Sequence, residues 1–466
     1  MLFSSIVFLF TFLPVVLLLY YLVPGKWKNY ILLIASLIFY AWGEPIYIFL
    51  MLFSIGFNYL SGLDLSTEEN ARKKKFKFIW NIIANLSILG FFKYYGFFLD
   101  SLESILHIKI SYQELALPIG ISFYTFQTMS YIIDVYRGKV EAQRNIVLFG
   151  VYVTMFPQLI AGPIVQYKDI DEQLKTRTMS REKFGEGTIY FIRGLSKKVL
   201  LANTIGSVFE TVSQLPQGEL SVLTAWIGCA AYTFQIYFDF SGYSDMAIGL
   251  GKMFGFEFLK NFDYPYISTS ITEFWRRWHI SLGSWFRDYV YIPLGGNRVP
   301  VKFHIRNIMV VWLLTGLWHG ASWNFVVWGI YYGVLLLLEK YFLKDILEKL
   351  PKPLRHIYSM LFVMIGWVLF FSKDILQAKN YIGVMFGIGA SGLTDGMGMY
   401  LLFSNGLGWL ILILCSTPYI SKKFELIRGY RDNRVIFQCV TYVFLFVLCI
   451  AYLVTETYNP FLYFRF

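Results

Sequence analysis

The stretch WLLTGLWHGASWNFVVWGIYYG, Trp312 to Gly333, has the apolar and aromatic composition that is typical of a membrane segment, and it carries a histidine near its middle. Ionisable side chains at membrane depth are costly and usually face a cavity or a polar partner. His319 is therefore the first candidate functional residue, and the alternative is a structural hydrogen bond between helices. Gly316 and Gly320 flank it at helical spacing, which predicts a thin helix wall that could admit a substrate.

The whole chain shares this apolar character. Of its 466 residues, 56% are hydrophobic and 20% aromatic, and only 15% are charged. Soluble domains carry about 25% charged residues, so this composition argues against a soluble enzyme with a large core. Apolar stretches close to the length of a bilayer crossing recur along the chain. We predict an all-α, polytopic integral membrane protein with about eleven transmembrane helices plus re-entrant and amphipathic segments.

The net charge of +11 comes largely from basic residues in short loops between apolar stretches. Such residues set topology and meet anionic lipid, so we expect membrane lipid and no nucleic acid as a partner. Lys26 and Lys28 follow the first predicted span, and the basic run 72–77 follows the third. Because positive loops stay in the cytoplasm, we predict an extracytoplasmic N-terminus.

No internal repeat or soluble domain is visible, so we predict one membrane-embedded domain over residues 1–466. Between Asp239 and Arg306 the sequence mixes aromatic with charged residues. Polar segments at membrane depth persist only where they are buried in protein or line a cavity. We therefore predict short re-entrant and amphipathic pieces that form one wall of a site, and a catalytic segment at 232–333.

This segment contains the second candidate histidine. His279 follows EFWRRW and either forms another wall of the same site or lies at the membrane interface. Arginines of the segment, Arg287 among them, could bind an anionic donor through paired hydrogen bonds or anchor the chain to the cytoplasmic side. Asp239 is expected to be the structural partner of an arginine.

The sequence gives little support for a metal or a bound cofactor. The histidines show no HExxH spacing, and the four cysteines show no CxxC spacing. A zinc site would need ligands at such spacings, so we predict no metal site and no tightly bound cofactor. A serine hydrolase is disfavoured too, since no GxSxG motif occurs.

Several longer motifs resemble the membrane-bound O-acyltransferase family, and within it the bacterial branch of alginate O-acetylation. The similarity covers most of the chain up to about Gly333. The stretches that carry it are LPIGISFYTFQTMSYIIDVYRG, FPQLIAGPI, YTFQIYFDFSGYSDMAIGLGKMFGFEFLKNFDYPY, FWRRWHISLGSWFRDYVYIPLGGNR and TGLWHGASWNFVVWG. The resemblance implies a bundle of membrane helices around a thin central region, where a cytoplasmic acyl donor meets an extracytoplasmic acceptor.

The resemblance also assigns residues. It places the two histidines of the family's site on His319 and His279. His319 would act either as the base for an acceptor hydroxyl or as the group that carries the acyl unit. The tryptophans of the two motifs would shape a tunnel, although packing is an equal alternative for them. The predicted substrate contacts are Trp278, Arg287, Trp318, Trp323 and Asn324.

The function that the resemblance implies is the movement of acetyl from a cytoplasmic thioester, acetyl-coenzyme A, across the membrane toward a surface polysaccharide. It implies a multi-pass protein of the bacterial cytoplasmic (inner) membrane and a separate extracytoplasmic partner of the SGNH-hydrolase type, which finishes the transfer to sugar. D-alanyl transfer to teichoic acid, with a carrier protein as donor, is one alternative. A glycan transporter or flippase is another, which the missing repeat symmetry disfavours.

Overall fold

The computed structural model describes residues 1–113, 115–160, 162–420, 433–456, 458–460 and 462. Every regular element within these ranges is helical, which confirms the predicted all-α class. The α-helices are α1 (Leu13–Leu22), α2 (Lys28–Gly43), α3 (Ile48–Thr67), α4 (Ala71–Leu106), α5 (Ile121–Tyr136), α6 (Ile146–Thr154), α7 (Phe156–Leu159), α8 (Tyr167–Lys175), α9 (Arg181–Ser196), α10 (Thr204–Ser213), α11 (Val222–Met253), α12 (Ile271–Arg277), α13 (Ile280–Phe286), α14 (Val301–His319), α15 (Trp323–Leu338), α16 (Lys344–Lys349), α17 (Lys352–Phe371), α18 (Ile375–Met385), α19 (Gly396–Ser404), α20 (Gly406–Cys415) and α21 (Asn433–Thr455).

Shorter helical turns of other types join several of these helices. Wide, π-type turns are uncommon in proteins and often mark functional places. Two of them lie in the part of the chain that carries the candidate histidines. The π-type turns are Phe8–Phe12, Lys197–Asn203, Arg287–Tyr291 and Glu339–Leu343, and the 3₁₀ turns are Gly25–Trp27, Gln217–Glu219 and Pro265–Ile267.

Several helices meet the length and apolarity that a membrane crossing requires. Among the described residues five do so, at Ile48–Thr67, Ala71–Leu106, Trp323–Lys349, Lys352–Phe371 and Ile436–Thr455. The bent pair α19 and α20, with an angle of 60° between its halves, would make a sixth. The integral membrane character is confirmed, and the predicted count of about eleven crossings stays a prediction.

The chain divides into two compact units. The first comprises Met1–Phe191 and Ser244–Leu259, and the second comprises Ile192–Tyr243 and Lys260–Phe466. Both candidate histidines belong to the second unit. The prediction of a single membrane domain over residues 1–466 stays a prediction.

In the first unit, buried amides hold two apolar helices together. The side chains of Asn58 on α3 and of Asn81 and Asn85 on α4 are all buried. Asn58 and Asn85 exchange amide hydrogen bonds at 3.1 and 2.9 Å. In lipid, where apolar surface drives association weakly, such bonds between helices fix the pairing.

In the second unit, α14 and α15 form a close antiparallel pair joined by the turn 320–322. A Cβ atom added at Gly316 would lie 2.3 Å from the Phe325 carbonyl oxygen, and one at Gly329 would lie 2.4 Å from the Trp312 carbonyl oxygen. Only glycine permits this distance between the two backbones. The pair fixes where α14 ends, and therefore where His319 lies.

Candidate active site

Asn261 holds the backbone that follows His279. The Ile280 amide donates to the Asn261 carbonyl at 2.9 Å. The side-chain oxygen of Asn261 accepts from both the amide and the hydroxyl of Ser281, at 3.1 and 2.9 Å. These bonds fix the junction between α12 and α13, which is the point where His279 stands.

His279 itself has an unusual backbone conformation. Its φ of 47° and ψ of 53° lie in the left-handed region. This costs a non-glycine residue about 1–3 kcal/mol and persists where the surroundings determine it, often at functional sites. The side chain is 1% exposed. His279 lies outside the apolar spans, and burial lowers its pKa to about 3. The resting imidazole is therefore neutral, which is the form that accepts a proton.

His319 is the last residue of α14 and lies among three aromatic rings that we call the aromatic box. Its ring centre is 4.9 Å from that of Trp318, 5.1 Å from Trp328 and 5.2 Å from Phe370. All three rings stand nearly perpendicular to the imidazole, at 76° to 79°. The histidine is 5% exposed. The box limits the access of water to this side chain, as a group-transfer site requires.

The structure brings the two predicted catalytic histidines to one indole. The ring of His279 is 5.9 Å from that of Trp318, at 82°. The same indole forms one side of the aromatic box around His319. Residues that are far apart in sequence thus lie in one aromatic cluster.

Two cavities lie next to this cluster. The smaller one, of about 200 Å³, is lined by His279, Trp278 and Arg287 among others. The larger one, of about 700 Å³, is lined by basic residues and by two carboxylates. Three residues line both cavities and so make them neighbours: Tyr291, Val311 and Trp312. The charged groups of the larger cavity are Arg276, Lys340, Lys344, Arg355, Glu339 and Glu348.

A histidine that the sequence did not single out lies in the wall of the larger cavity. His304 Nε2 is 3.0 Å from the Tyr291 hydroxyl and 3.1 Å from Lys340 Nζ, and its Nδ1 is 2.7 Å from the Tyr341 hydroxyl. These contacts bind the basic start of α14 to the turn that follows α15. Polar contacts therefore hold this wall of the larger cavity in place.

The predicted substrate contacts have different environments. Trp278 is buried, with its ring centre 4.8 Å from that of Trp367, and it also lines the smaller cavity. Arg287 is largely exposed, lines the smaller cavity and pairs with Asp288 at 2.8 Å. These two are therefore placed beside His279.

Two further predicted contacts, Trp323 and Asn324, lie at the start of α15. Trp323 is 55% exposed. Asn324 is buried and donates to the Ser372 carbonyl at 2.8 Å, which ties the start of α15 to the end of α17. Asn324 therefore has a structural bond that accounts for its burial, and the substrate contacts proposed for both residues stay predictions.

The glycines beside His319 do not open a path through the helix. A Cβ atom at Gly320 would lie 2.1 Å from the Phe325 ring, so α15 already occupies the space beside both Gly316 and Gly320. Their small size allows helix packing instead of substrate entry. The reason is that sequence spacing identifies a bare helix face and does not identify what covers it.

Sequence reasoning missed several residues of the cluster. Trp328 and Phe370 complete the aromatic box, but both stand in apolar runs that are typical of packing. Tyr291 was part of a quoted motif and was not assigned a role. Glu339, which lines the larger cavity, was not predicted as a site residue either. A carboxylate at the end of an apolar run often marks a buried polar contact, so the sequence did contain a signal for it.

Comparisons with known proteins agree with the resemblance. The model of the membrane-bound O-acyltransferase family matches residues 143–376. The chain is 45% identical to a probable alginate O-acetylase of Azotobacter vinelandii over 85% of this chain and 80% of that protein. It is 36% identical to a peptidoglycan O-acetyltransferase of Helicobacter pylori, over 83% and 80%. A teichoic acid D-alanyltransferase of Streptococcus thermophilus is 30% identical over 50% and 59%.

Proposed function

The chain belongs to the membrane-bound O-acyltransferase family, and we propose that it moves acetyl from a cytoplasmic thioester to hydroxyl groups of an extracytoplasmic polysaccharide. The observation that carries the proposal is the pair of buried histidines, His279 and His319, on one indole. The acetyl group and the glycan acceptor are supported by the relatives that act on alginate and on peptidoglycan.

In the proposed reaction, the acceptor hydroxyl oxygen attacks the acetyl carbonyl carbon of the thioester. The new C–O ester bond forms, the C–S bond breaks, and His319 takes the hydroxyl proton and passes it to the departing thiolate. His279 accepts a hydrogen bond from one of the reactants and orients it. Proton transfer by a positioned base typically contributes 10²–10⁴-fold to such a reaction.

The donor is proposed to be acetyl-coenzyme A, bound through its phosphates without any tightly held cofactor. Support comes from the larger cavity, whose four cationic side chains outnumber its two carboxylates. Guanidinium and ammonium groups bind phosphate oxygens through charge-assisted hydrogen bonds. The smaller cavity adjoins it through Tyr291 and Trp312, and it leads to His279. A thioester arm could follow this course.

We propose the cytoplasmic membrane as the location, with the basic end of α14 and α15 in the cytoplasm. Lys302 and Arg306 begin α14, and Lys340 and Lys344 follow α15 at the same end. Positive ends stay in the cytoplasm. His319 ends α14, about 27 Å away at 1.5 Å per residue. We also propose that the N-terminus is extracytoplasmic. A partner protein of the SGNH type would act on the same side of the membrane.

Inverted membrane vesicles test the donor directly. Vesicles with the protein are expected to incorporate label from acetyl-coenzyme A into ester-linked acetate, and vesicles without it are not. Lys340→Gln is expected to raise KM for acetyl-coenzyme A about five- to tenfold, which corresponds to about 1–1.4 kcal/mol of binding, because it removes one charge-assisted contact with the donor phosphates. Lys302→Gln, an exposed lysine that lines neither cavity, is the matched control and should leave KM unchanged.

The same vesicles separate the alternatives. Incorporation of D-alanine from a charged carrier protein, with no acetate incorporated, would replace our proposal by teichoic acid D-alanylation. Movement of a labelled glycan across the membrane without ester formation would replace it by transport. An unchanged KM in Lys340→Gln would leave acetyl transfer standing and remove the larger cavity as the donor site.

A further inference from the structure

Glu339 is a buried carboxylate in the wall of the larger cavity, and no step of the proposed reaction uses it. It is 5% exposed and begins the π-type turn that follows α15. A carboxylate so far from water is strongly unfavourable unless several donors satisfy it. The burial of Glu339 therefore indicates a structural or functional role for this side chain.

Three donors to Glu339 come from the first two residues of α12, and Tyr358 on α17 also interacts with this carboxylate. The Ile271 amide donates to Oε1 at 2.5 Å. The Thr272 amide and hydroxyl donate to Oε2 at 2.8 and 2.7 Å. The first amides of a helix lack partners within the helix, so a carboxylate from another element is a strong partner for them.

Two further hydrogen bonds at the start of α12 are local. The Ser270 hydroxyl accepts from the Glu273 amide at 3.0 Å, and the Glu273 carboxylate accepts from the Thr269 amide at 2.9 Å. These bonds hold the turn together but do not connect it to another helix. Glu339 links the first residues of α12 to the end of α15, and His356 Nδ1 on α17, 3.1 Å from the Ser268 carbonyl oxygen, holds the residues just before α12.

The two elements that Glu339 joins carry the two halves of the candidate active site. α12 leads directly into Trp278 and His279, while α15 carries Trp328 of the aromatic box. Further along, the Trp275 ring lies 5.5 Å from that of Trp328, so α12 also packs on α15. The carboxylate contact and this aromatic contact set both the position and the direction of α12 along α15.

We propose that Glu339 is a positioning residue, which places His279 relative to the aromatic box around His319 by fixing the start of α12 on the end of α15. The inference rests on the role proposed above for His279. Without the carboxylate, the α12 amides lose their partners, and the strained conformation of His279 loses one of its supports.

The kinetic test uses Glu339→Gln in the vesicle assay. The amide group keeps the size of the carboxylate but turns an NH₂ group toward backbone donors. We expect kcat to fall about tenfold, as misplaced reacting groups cause, while KM for acetyl-coenzyme A should not rise, because the change removes a negative charge from the wall of the proposed donor cavity. Asp345→Asn removes an exposed carboxylate of the following helix that lines neither cavity, and it should leave both constants unchanged.

The second readout is chemical and does not need activity. Diethyl pyrocarbonate modifies accessible histidines, and peptide mass spectrometry locates the products. In the wild type, exposed His107 should react while His279 and His319 are protected. In Glu339→Gln we expect His279 to react at least about fivefold faster, with His319 within about twofold of the wild type, since local opening exposes only the segment that opens.

A second variant covers the case in which Glu339→Gln does not accumulate. Thr272→Val removes only the hydroxyl donor, and it should raise the reactivity of His279 about twofold. Protection of His279 as in the wild type, or equal exposure of His279 and His319, would overturn the inference. If the wild type shows no acetyl transfer, the proposed function is contradicted. The histidine reactivities can still be measured in that case, because they do not depend on activity.

Discussion

At the scale of single residues, Lys198 and Asp239 form a buried ion pair in the second unit. Their side chains are 2% and 1% exposed, and Nζ lies 2.8 Å from Oδ1. Lys198 also contacts the side chain of Asn203 at 2.8 Å, and Asp239 accepts from the Leu462 amide at 3.0 Å. The pair therefore connects α11 with the π-type turn before α10 and with the C-terminal region.

Removing one partner of this pair is expected to destabilise the protein strongly. Asp239→Leu or Lys198→Met leaves the other charge buried alone, which costs about 3–5 kcal/mol. The double variant Lys198→Met, Asp239→Asn removes both charges and retains an acceptor for the Leu462 amide, so it should be more stable than either single variant. Thermal unfolding of the detergent-solubilised protein measures all three, and a double variant that is less stable than either single variant would contradict this prediction.

Residue-level predictions came from side chains whose chemistry contrasts with their surroundings, and the catalytic roles assigned to them stay predictions. A histidine in an apolar run indicated His319, and aromatic neighbours indicated His279. Asp239 was expected to pair with an arginine and pairs with a lysine instead, because a carboxylate in a sequence predicts a cation but not which one. The left-handed conformation of His279 depends on Asn261, a contact that no local pattern reveals.

At the scale of elements, the pairing of α14 with α15 decides where the aromatic box forms. Two glycines, Gly316 and Gly329, let the helix backbones touch near the turn that follows His319. Gly320 belongs to that turn, and the Phe325 ring of α15 lies against it. A small displacement between these helices therefore moves His319 relative to Trp328.

Gly329→Ala is expected to lower both stability and acetyl transfer. The new methyl group would lie 2.4 Å from the Trp312 carbonyl oxygen, so the helices must separate. Overpacking of this kind typically costs about 1–3 kcal/mol. Gly408→Ala on α20 is the control, since nothing lies within 4 Å of its added Cβ atom. Equal unfolding temperatures and equal rates for both variants would show that the close packing does not matter.

The sequence predicted the type of each element better than the residues at which it begins and ends. The segment 239–306 does fold into short pieces, among them α12 and α13. However, α11 continues to Met253, well into the segment for which short pieces were predicted. Small residues explain the continuation: a Cβ atom at Gly249 would lie 2.5 Å from the Gly187 carbonyl oxygen, so this stretch packs on protein despite its low hydropathy.

At the scale of the whole molecule, membrane character follows from composition alone, whereas the number of crossings does not. Hydropathy detects helices that face lipid, such as α4 and α17. It leaves α5 undecided as a crossing, because this helix has 16 residues, fewer than the roughly 20 that a crossing needs. Its residues Ile121–Val135 are all buried and include several polar side chains, so protein surrounds this helix.

The proposed orientation predicts which exposed positions face the cytoplasm. In a variant without the four native cysteines, Lys75→Cys in the basic stretch at the start of α4 should react with a membrane-impermeant thiol reagent only after the cells are opened. Lys373→Cys, which follows α17, should react in intact cells. Both positions are exposed. The reverse pattern would invert the topology, because positive segments would then lie outside the cytoplasm.

The most direct measurement of the central claim is ester-linked acetate on surface polysaccharide from a deletion strain. The strain is complemented with the wild type, His319→Ala or the exposed-histidine control His107→Ala, at matched membrane levels. We predict that wild type and His107→Ala restore acetate, and that His319→Ala restores less than about 1%, the loss expected when a catalytic base is removed. Full acetate with His319→Ala would contradict the account.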